Sequence, residues 1–196
     1  MHTDELRSAQ IRRKMSVVAV FAVYCRPMAT FLRAAGPSRT GWLARDLVFA
    51  ALAVTVIAMS SDVRMPMALP GHRGLIWLTV LVTTALVTRT RATVVAVGAG
   101  ATLATLVLQL PPGPWAGLRY VAAALLLCAV AATGSRWLVA VAAAPIHLVA
   151  LAGSSVGAGM LDKVLFHLGF GLVAGLLGWA IASVLDRAAR PRAGRS

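Results

Sequence analysis

Residues 164–185 read VLFHLGFGLVAGLLGWAIASVL, a run with no aspartate, glutamate, lysine or arginine and with His167 as its one imidazole. An α-helix needs about 20 predominantly apolar residues to cross a hydrocarbon core, so this run predicts a membrane span. Gly171, Gly175, Gly178 and Ala182 recur at i, i+4, i+7 and i+11 within it. That spacing gathers small residues on one helix face, which lets a neighbouring backbone approach closely. Lys163 stands just ahead of the run and Arg187 just after it.

Outward from there the same pattern repeats. Apolar segments are read at about 47–60, 75–88, 92–110, 118–132 and 137–156, the first two near the short end of what a bilayer requires. Pro66, Pro70 and Gly71 precede the second span, Pro111-Pro112-Gly113-Pro114 separates the third from the fourth, and Gly157 and Gly159 precede the sixth. Ala92, Ala96, Gly100 and Ala104 give the third span a small-residue face of its own. Hydrophobic residues are 59% of the chain and charged ones 13%, with a mean hydropathy of +0.82. Soluble domains carry about 25% charge, so little of this chain suits a soluble core. The expectation is an all-α integral membrane protein of the cell membrane, with about six transmembrane helices in one bundle over 46–186. Basic tails flank it at 1–45 and 187–196.

The net charge of +13 raises nucleic-acid binding as a function, and the placement of the basic residues argues against it. Most lie at the two ends, flanking apolar segments and without interleaved aromatics. With the N-terminal tail placed in the cytoplasm and six crossings, 15 of the 19 lysines and arginines fall inside. The other four, Arg64, Arg73, Arg119 and Lys163, fall outside. This asymmetry is the positive-inside pattern, and it predicts that both termini are cytoplasmic. The apolar stretch Met15–Cys25 is too short to span and reads as an interfacial helix. A signal peptide is the rival reading there, but Tyr24 and Arg26 spoil a small-residue cleavage site. Met15 and Met28 are alternative starts.

Several chemistries lack their residues. The sequence has no GxxxxGK[ST] phosphate loop, no HExxH, no GxSxG and no acidic pair within a span. ATP hydrolysis, zinc proteolysis and acyl transfer are therefore not expected, and neither a cofactor nor a metal is implied. Cys25 and Cys128 suggest no disulfide framework and no CxxC site. Haem ligation is disfavoured because His147 reads as central in the fifth span and His167 as one turn into the sixth.

Polar side chains inside a membrane are costly, and each is a candidate for function. Gln109, Arg119, His147 and His167 are those candidates, and His72, Arg73, Trp115, Tyr120 and Asp162 lie in or beside the adjoining loops. All but His147 fall toward the outer side. Plainer roles stand beside each. Arg119 and Lys163 can snorkel to headgroups, and Trp115 and Tyr120 can belong to an interfacial belt. His147 follows Pro145 by two positions, so it can satisfy a backbone carbonyl freed by the proline.

The segment Leu69-Pro70-Gly71-His72-Arg73-Gly74-Leu75-Ile76-Trp77 resembles a pattern found in substrate-binding S-components of energy-coupling-factor transporters. Gly117-Leu118-Arg119-Tyr120 and Leu165-Phe166-His167-Leu168-Gly169-Phe170-Gly171 extend the resemblance, which covers roughly 46–186. It implies a six-helix bundle that captures a vitamin-like small molecule from outside, beneath the loop joining the first two spans. It also implies partners, namely a transmembrane coupling protein and two cytoplasmic ATPases. The family's Ala-x-x-x-Ala coupling face on the first helix corresponds here to Ala51 and Thr55, a departure at the second position.

Together these readings predict an outward pocket of His72, Arg73, Trp77, Gln109, Arg119, Asp162 and His167 for a small polar or anionic ligand. Arg119 would orient a carboxylate or phosphate by paired hydrogen bonds, with Trp77 or Trp115 stacking on a ring. A non-catalytic subunit of a larger membrane complex is the rival from another class, and an intramembrane enzyme comes third.

Overall fold

The computed structural model describes residues 39–62, 71–72, 74–88, 90–110, 114–152 and 159–189. All regular structure among them is helical: α1 (Arg39–Asp62), α2 (Gly74–Val87), α3 (Arg91–Val107), α4 (Pro114–Ala131), α5 (Arg136–Ile146) and α6 (Met160–Ala189). A 3-10 segment, His147–Leu151, continues directly from α5. The chain divides into two units, 1–48 and 49–196. In the first, the described residues are the opening turns of α1. Everything that follows concerns the second. The interfacial helix expected at Met15–Cys25 lies outside the described residues.

Local chemistry sets the helix ends. Pro114 opens α4, where a missing N–H removes nothing the helix would use. Ser135 caps α5, its Oγ accepting from Leu138 N at 3.3 Å. Gly71 has φ +89° in the turn entering α2, where Gly74 N donates to Gly71 O at 2.9 Å. Gly134 and Gly159 take the same left-handed conformation between α4 and α5 and ahead of α6.

The element that organises the unit is α2. It packs against α3, α4, α5, α6 and the 3-10 segment. Its buried side chains, Trp77, Leu78, Leu81, Val82, Thr83 and Thr84, cover more than one stripe of the helix. A helix apolar all round and buried on most sides is the expected centre of a bundle. Around it, α3 packs on α4 and α5 on α6.

These contacts are close because glycine forms them. A Cβ on Gly171 would stand 2.7 Å from Ala143 O and 2.8 Å from His147 Cβ. One on Gly175 would run into Ala140 O, and one on Gly178 would stand 2.7 Å from Val82 Cγ1. The small face of α6 is thus internal, seating it against α5 and α2. The third span differs from expectation: Ala92 and Ala96 are exposed. Of that stripe Gly100 meets Val54 of α1, whereas Gly98, from the neighbouring stripe, makes the close approach to Ala124 and to the Tyr120 carbonyl of α4. The reason is that α4 lies on the Val94, Gly98, Ala101, Thr105 side of α3, a face the four-residue spacing alone does not single out.

Threonines complete these interfaces. Thr102 Oγ1 lies 2.9 Å from Gly98 O in its own helix and 2.8 Å from Gly117 O in α4. Thr79 Oγ1 reaches Leu75 O at 2.6 Å and Ala174 O in α6 at 3.3 Å. The core is hydrophobic, as in a soluble protein, but the surface is apolar as well. Thr84 and His147 are wholly buried, while Val107 is 77% and Leu161 71% exposed. A surface this apolar around an interior holding threonine and histidine suits a hydrocarbon solvent. Two helical stretches, Leu43–Ser61 and Met160–Arg187, are long and apolar enough to cross a membrane.

Candidate functional site

Alternating helix direction brings the end of α1, the starts of α2, α4 and α6 and the 3-10 end of α5 to one end of the bundle. There the rings meet. Trp77, 1% exposed, lies edge-on to Tyr120 with centroids 5.5 Å apart and edge-on to His147 at 5.7 Å. His147 in turn faces His167 at 5.0 Å with the planes tilted by 38°. Each edge-on aromatic pair contributes about 0.5–1.5 kcal/mol beyond its buried area. A file of four rings therefore joins α4, α2, the 3-10 segment and α6.

The polar atoms of this file have defined roles. His147 Nδ1 lies 2.8 Å from His167 O, and His167 Nδ1 lies 2.8 Å from Lys163 O. A carbonyl only accepts, so in both rings Nδ1 carries the hydrogen. Arg119 Nη2 donates to Tyr120 Oη at 3.0 Å, with the guanidinium carbon 5.0 Å from the Tyr120 ring centre. Ser61 gives its one hydroxyl hydrogen to Ile57 O at 3.0 Å, so in its 2.9 Å contact with Tyr120 Oη it is the tyrosine that donates. The network ties α4 to the last turn of α1.

Three buried nitrogens in the cluster have no hydrogen-bond partner: Trp77 Nε1, Arg119 Nε and His147 Nε2. Leaving such a group unsatisfied costs about 1–3 kcal/mol each. Glycine shapes the surroundings here too. A Cβ on Gly74 would overlap the His147 imidazole, and one on Gly71 would stand 3.2 Å from His167 Nδ1. Gly71 and Gly74 therefore leave room for the two imidazoles.

Of the residues expected to form the site, Trp77, Arg119 and His167 are part of this cluster. His72 lies at its edge, in the turn where its carbonyl accepts from Leu75 N at 3.2 Å. Gln109 stands apart: it is exposed, with φ 50°, and its Nε2 donates to Leu106 O at 3.0 Å. Asp162 is also exposed, on the outer face of α6, where it borders a groove of 520 Å³ with Leu165, Phe166, Gly169, Phe170 and Val173. Arg73 lies outside the described residues. Of the expected coupling positions, Ala51 is exposed, and Thr55 Oγ1 donates back to Ala51 O at 2.9 Å.

His147 is the residue whose place sequence reasoning misjudged. Helix ends at Leu151, with Ala152 as its cap, and the rest of the expected span to 156 lies outside the described residues; His147 thus sits about one turn from the end of this helix, beside His167. It bonds a carbonyl of α6, not one freed by Pro145. Rings in contact, with centroids 5.0 Å apart, leave no room for a macrocycle between them, so the pair does not fit haem. Tyr120 and Ser61 were also missed as a pair, since nothing in the sequence links positions 59 apart. Among the described residues no group of three or more His, Cys, Asp or Glu side chains is placed to hold a metal.

No protein-family model matches the chain, and comparisons with curated proteins and with solved structures return no match. The functional reading therefore rests on the cluster and on the resemblance in its motifs.

Proposed function

We propose that this protein is a multi-pass membrane protein with six crossings and cytoplasmic termini that binds a small polar molecule at the ring cluster. In particular, we propose that it is the substrate-binding subunit of an energy-coupling-factor importer. The observation that carries the reading is that Trp77 Nε1 and Arg119 Nε, on side chains that both contact Tyr120, are buried without a hydrogen-bond partner at one end of the bundle. Buried polar groups are otherwise satisfied almost without exception, and a bound ligand supplies partners that the protein omits.

Other features support the membrane part. Among the described residues of the second unit, Arg91, Arg136 and Arg187 lie at the helix ends opposite the cluster, and Arg119 and Lys163 at the cluster end. Trp137 and Trp179 meet edge-on at 6.4 Å toward that opposite end, beside the Arg136–Asp186 ion pair. Aromatic side chains next to charge mark a membrane interface. Of the four shorter helices, the 14 residues of α2 cover about 21 Å and the 17 of α3 about 26 Å at 1.5 Å per residue, and such helices cross as members of a bundle rather than singly.

The chain has no phosphate loop, so transport would draw its energy from partner ATPases. Tagged protein purified in mild detergent from its host, followed by mass spectrometry, tests this. The expected result is co-recovery of a transmembrane coupling protein and ATPase subunits. Recovery of an unrelated membrane complex in their place would refute the importer reading. It would favour an accessory subunit, the second reading, for which the exposed apolar groove along Leu165, Phe166 and Val173 of α6 would be a docking face.

A further inference from the structure

The outer face of α6 carries a groove that the ring cluster does not use. Asp162, Leu165, Phe166, Gly169, Phe170 and Val173 line its 520 Å³. They recur at three- and four-residue steps, so they form one stripe along the helix. Gly169 is its floor: a Cβ there would meet nothing within 4 Å, with Leu165 one turn before it and Val173 one turn after. Given the membrane-spanning reading above, we infer that this groove seats an acyl chain of a phospholipid whose headgroup ends in a primary ammonium, and that Asp162 receives the ammonium.

Depth is the first argument. The stretch Met160–Arg187 has 28 residues, about 42 Å of helix, against about 30 Å of hydrocarbon and about 40–45 Å with the headgroup layers. Asp162, close to one end of it, therefore stands in a headgroup layer. From Asp162 to Val173 the groove covers about 16 Å of helix, and the hydrocarbon of one leaflet is about 15 Å thick. A partner's transmembrane helix would follow the whole span. The stripe does continue, exposed, as Leu176, Leu177 and Val184, but the groove stops at Val173. Its extent is that of a lipid chain in one leaflet. All chains in a bilayer are apolar, so the gain from seating one comes from the contacts that fill the space over Gly169.

Charge is the second argument. Asp162 is exposed, is the one charged residue lining the groove, and forms no ion pair among the described residues. A carboxylate only accepts, and its strongest partners are N–H groups on a cation. A primary ammonium offers three such hydrogens and a trimethylammonium none. Lys163, next in the chain and also exposed, is placed for the phosphate of the same headgroup. A headgroup with a phosphate and no amine would meet Asp162 as a like charge.

The test uses full-length protein in nanodiscs of phosphatidylethanolamine and phosphatidylcholine, equimolar and with identical acyl chains. After extraction into mild detergent, native mass spectrometry counts the lipids each protein keeps. Wild type should keep the ethanolamine lipid about three- to fivefold over the choline lipid, the scale of one charged pair near water. Asp162→Asn should bring that ratio to about one. Gly169→Leu fills the groove where a side chain has room, and should lower retention of both lipids about threefold or more. Equal retention by wild type, an unchanged ratio in Asp162→Asn, or undiminished retention in Gly169→Leu would overturn the inference. So would a two-chain mass that Gly169→Leu abolishes, since a second copy would then hold the groove. These outcomes leave the membrane reading standing, whereas a chain that stays in water without detergent and never enters nanodiscs would overturn both.

Discussion

Gly175→Ala adds one methyl group to α6 at its tightest contact, and Gly169→Ala adds the same group to the same helix where nothing lies within 4 Å. The two should move stability in opposite directions. In both, replacing glycine by alanine in a helix interior favours the folded state by about 0.5–1 kcal/mol through backbone entropy. At Gly169 that gain stands alone. At Gly175 the new Cβ runs into Ala140 O and stands 2.9 Å from both Ala140 C and Ala143 Cβ. Two of those three atoms are backbone, which no rotamer change can move, so α5 and α6 must separate. Overpacking of this kind costs about 1–3 kcal/mol. Because backbone atoms cannot yield, the cost at Gly175 falls in the upper part of that range, about 2–3 kcal/mol, and the net expectation is a loss of about 1–2.5 kcal/mol for Gly175→Ala and a gain of about 0.5–1 kcal/mol for Gly169→Ala. Reversible unfolding in mixed micelles with rising denaturing detergent, followed by tryptophan fluorescence, measures both. Shifts of the same sign, or a neutral Gly175→Ala, would refute the claim that α5 and α6 meet at these glycines.

The other expectations concern single interactions and use the same unfolding assay. Thr102→Val removes the bond to Gly117 O that joins α3 to α4, and should lower stability by about 0.5–1.5 kcal/mol, the span measured for interhelical bonds in membranes. No change would mean that the small-residue contact alone holds that pair. Tyr120→Phe takes away the hydroxyl between Arg119 and Ser61 and should lower stability by about 1–2 kcal/mol. A double-mutant cycle with Ser61→Ala should show coupling of at least about 0.5 kcal/mol, and strict additivity would exclude the proposed relay. Arg136→Ala breaks an ion pair whose side chains are 45% and 33% exposed. Screening by solvent limits its effect to under about 0.5 kcal/mol, and a larger loss would show that the pair is shielded from water.

Much of this protein was legible along the chain because the signals are local. Length and apolarity mark each helix, and Pro114, Ser135 and the glycines of the turns mark where helices begin. Alternation of direction follows from short connections, and it alone puts Trp77, Arg119 and His167 at one end. The four-residue spacing of Gly171, Gly175 and the residues after them announces close packing whatever the partner.

What lay beyond the sequence were choices that depend on a second helix. Two small-residue stripes run along α3, and only its contact with α4 makes Gly98 the close one. Gln109 and Arg119 look alike as polar residues near span ends, yet one side chain folds back on its own helix and the other reaches a tyrosine bonded to α1. The end of helix at Leu151, which brings His147 level with His167, is signalled only by Gly153-Ser154-Ser155 just beyond it, a stop the apolar run through Val156 obscures. Periodicity reports which face of a helix is apolar or small, whereas a hydrogen bond between side chains far apart in sequence depends on the rotation and depth at which two helices meet, and those are fixed only when the whole bundle packs.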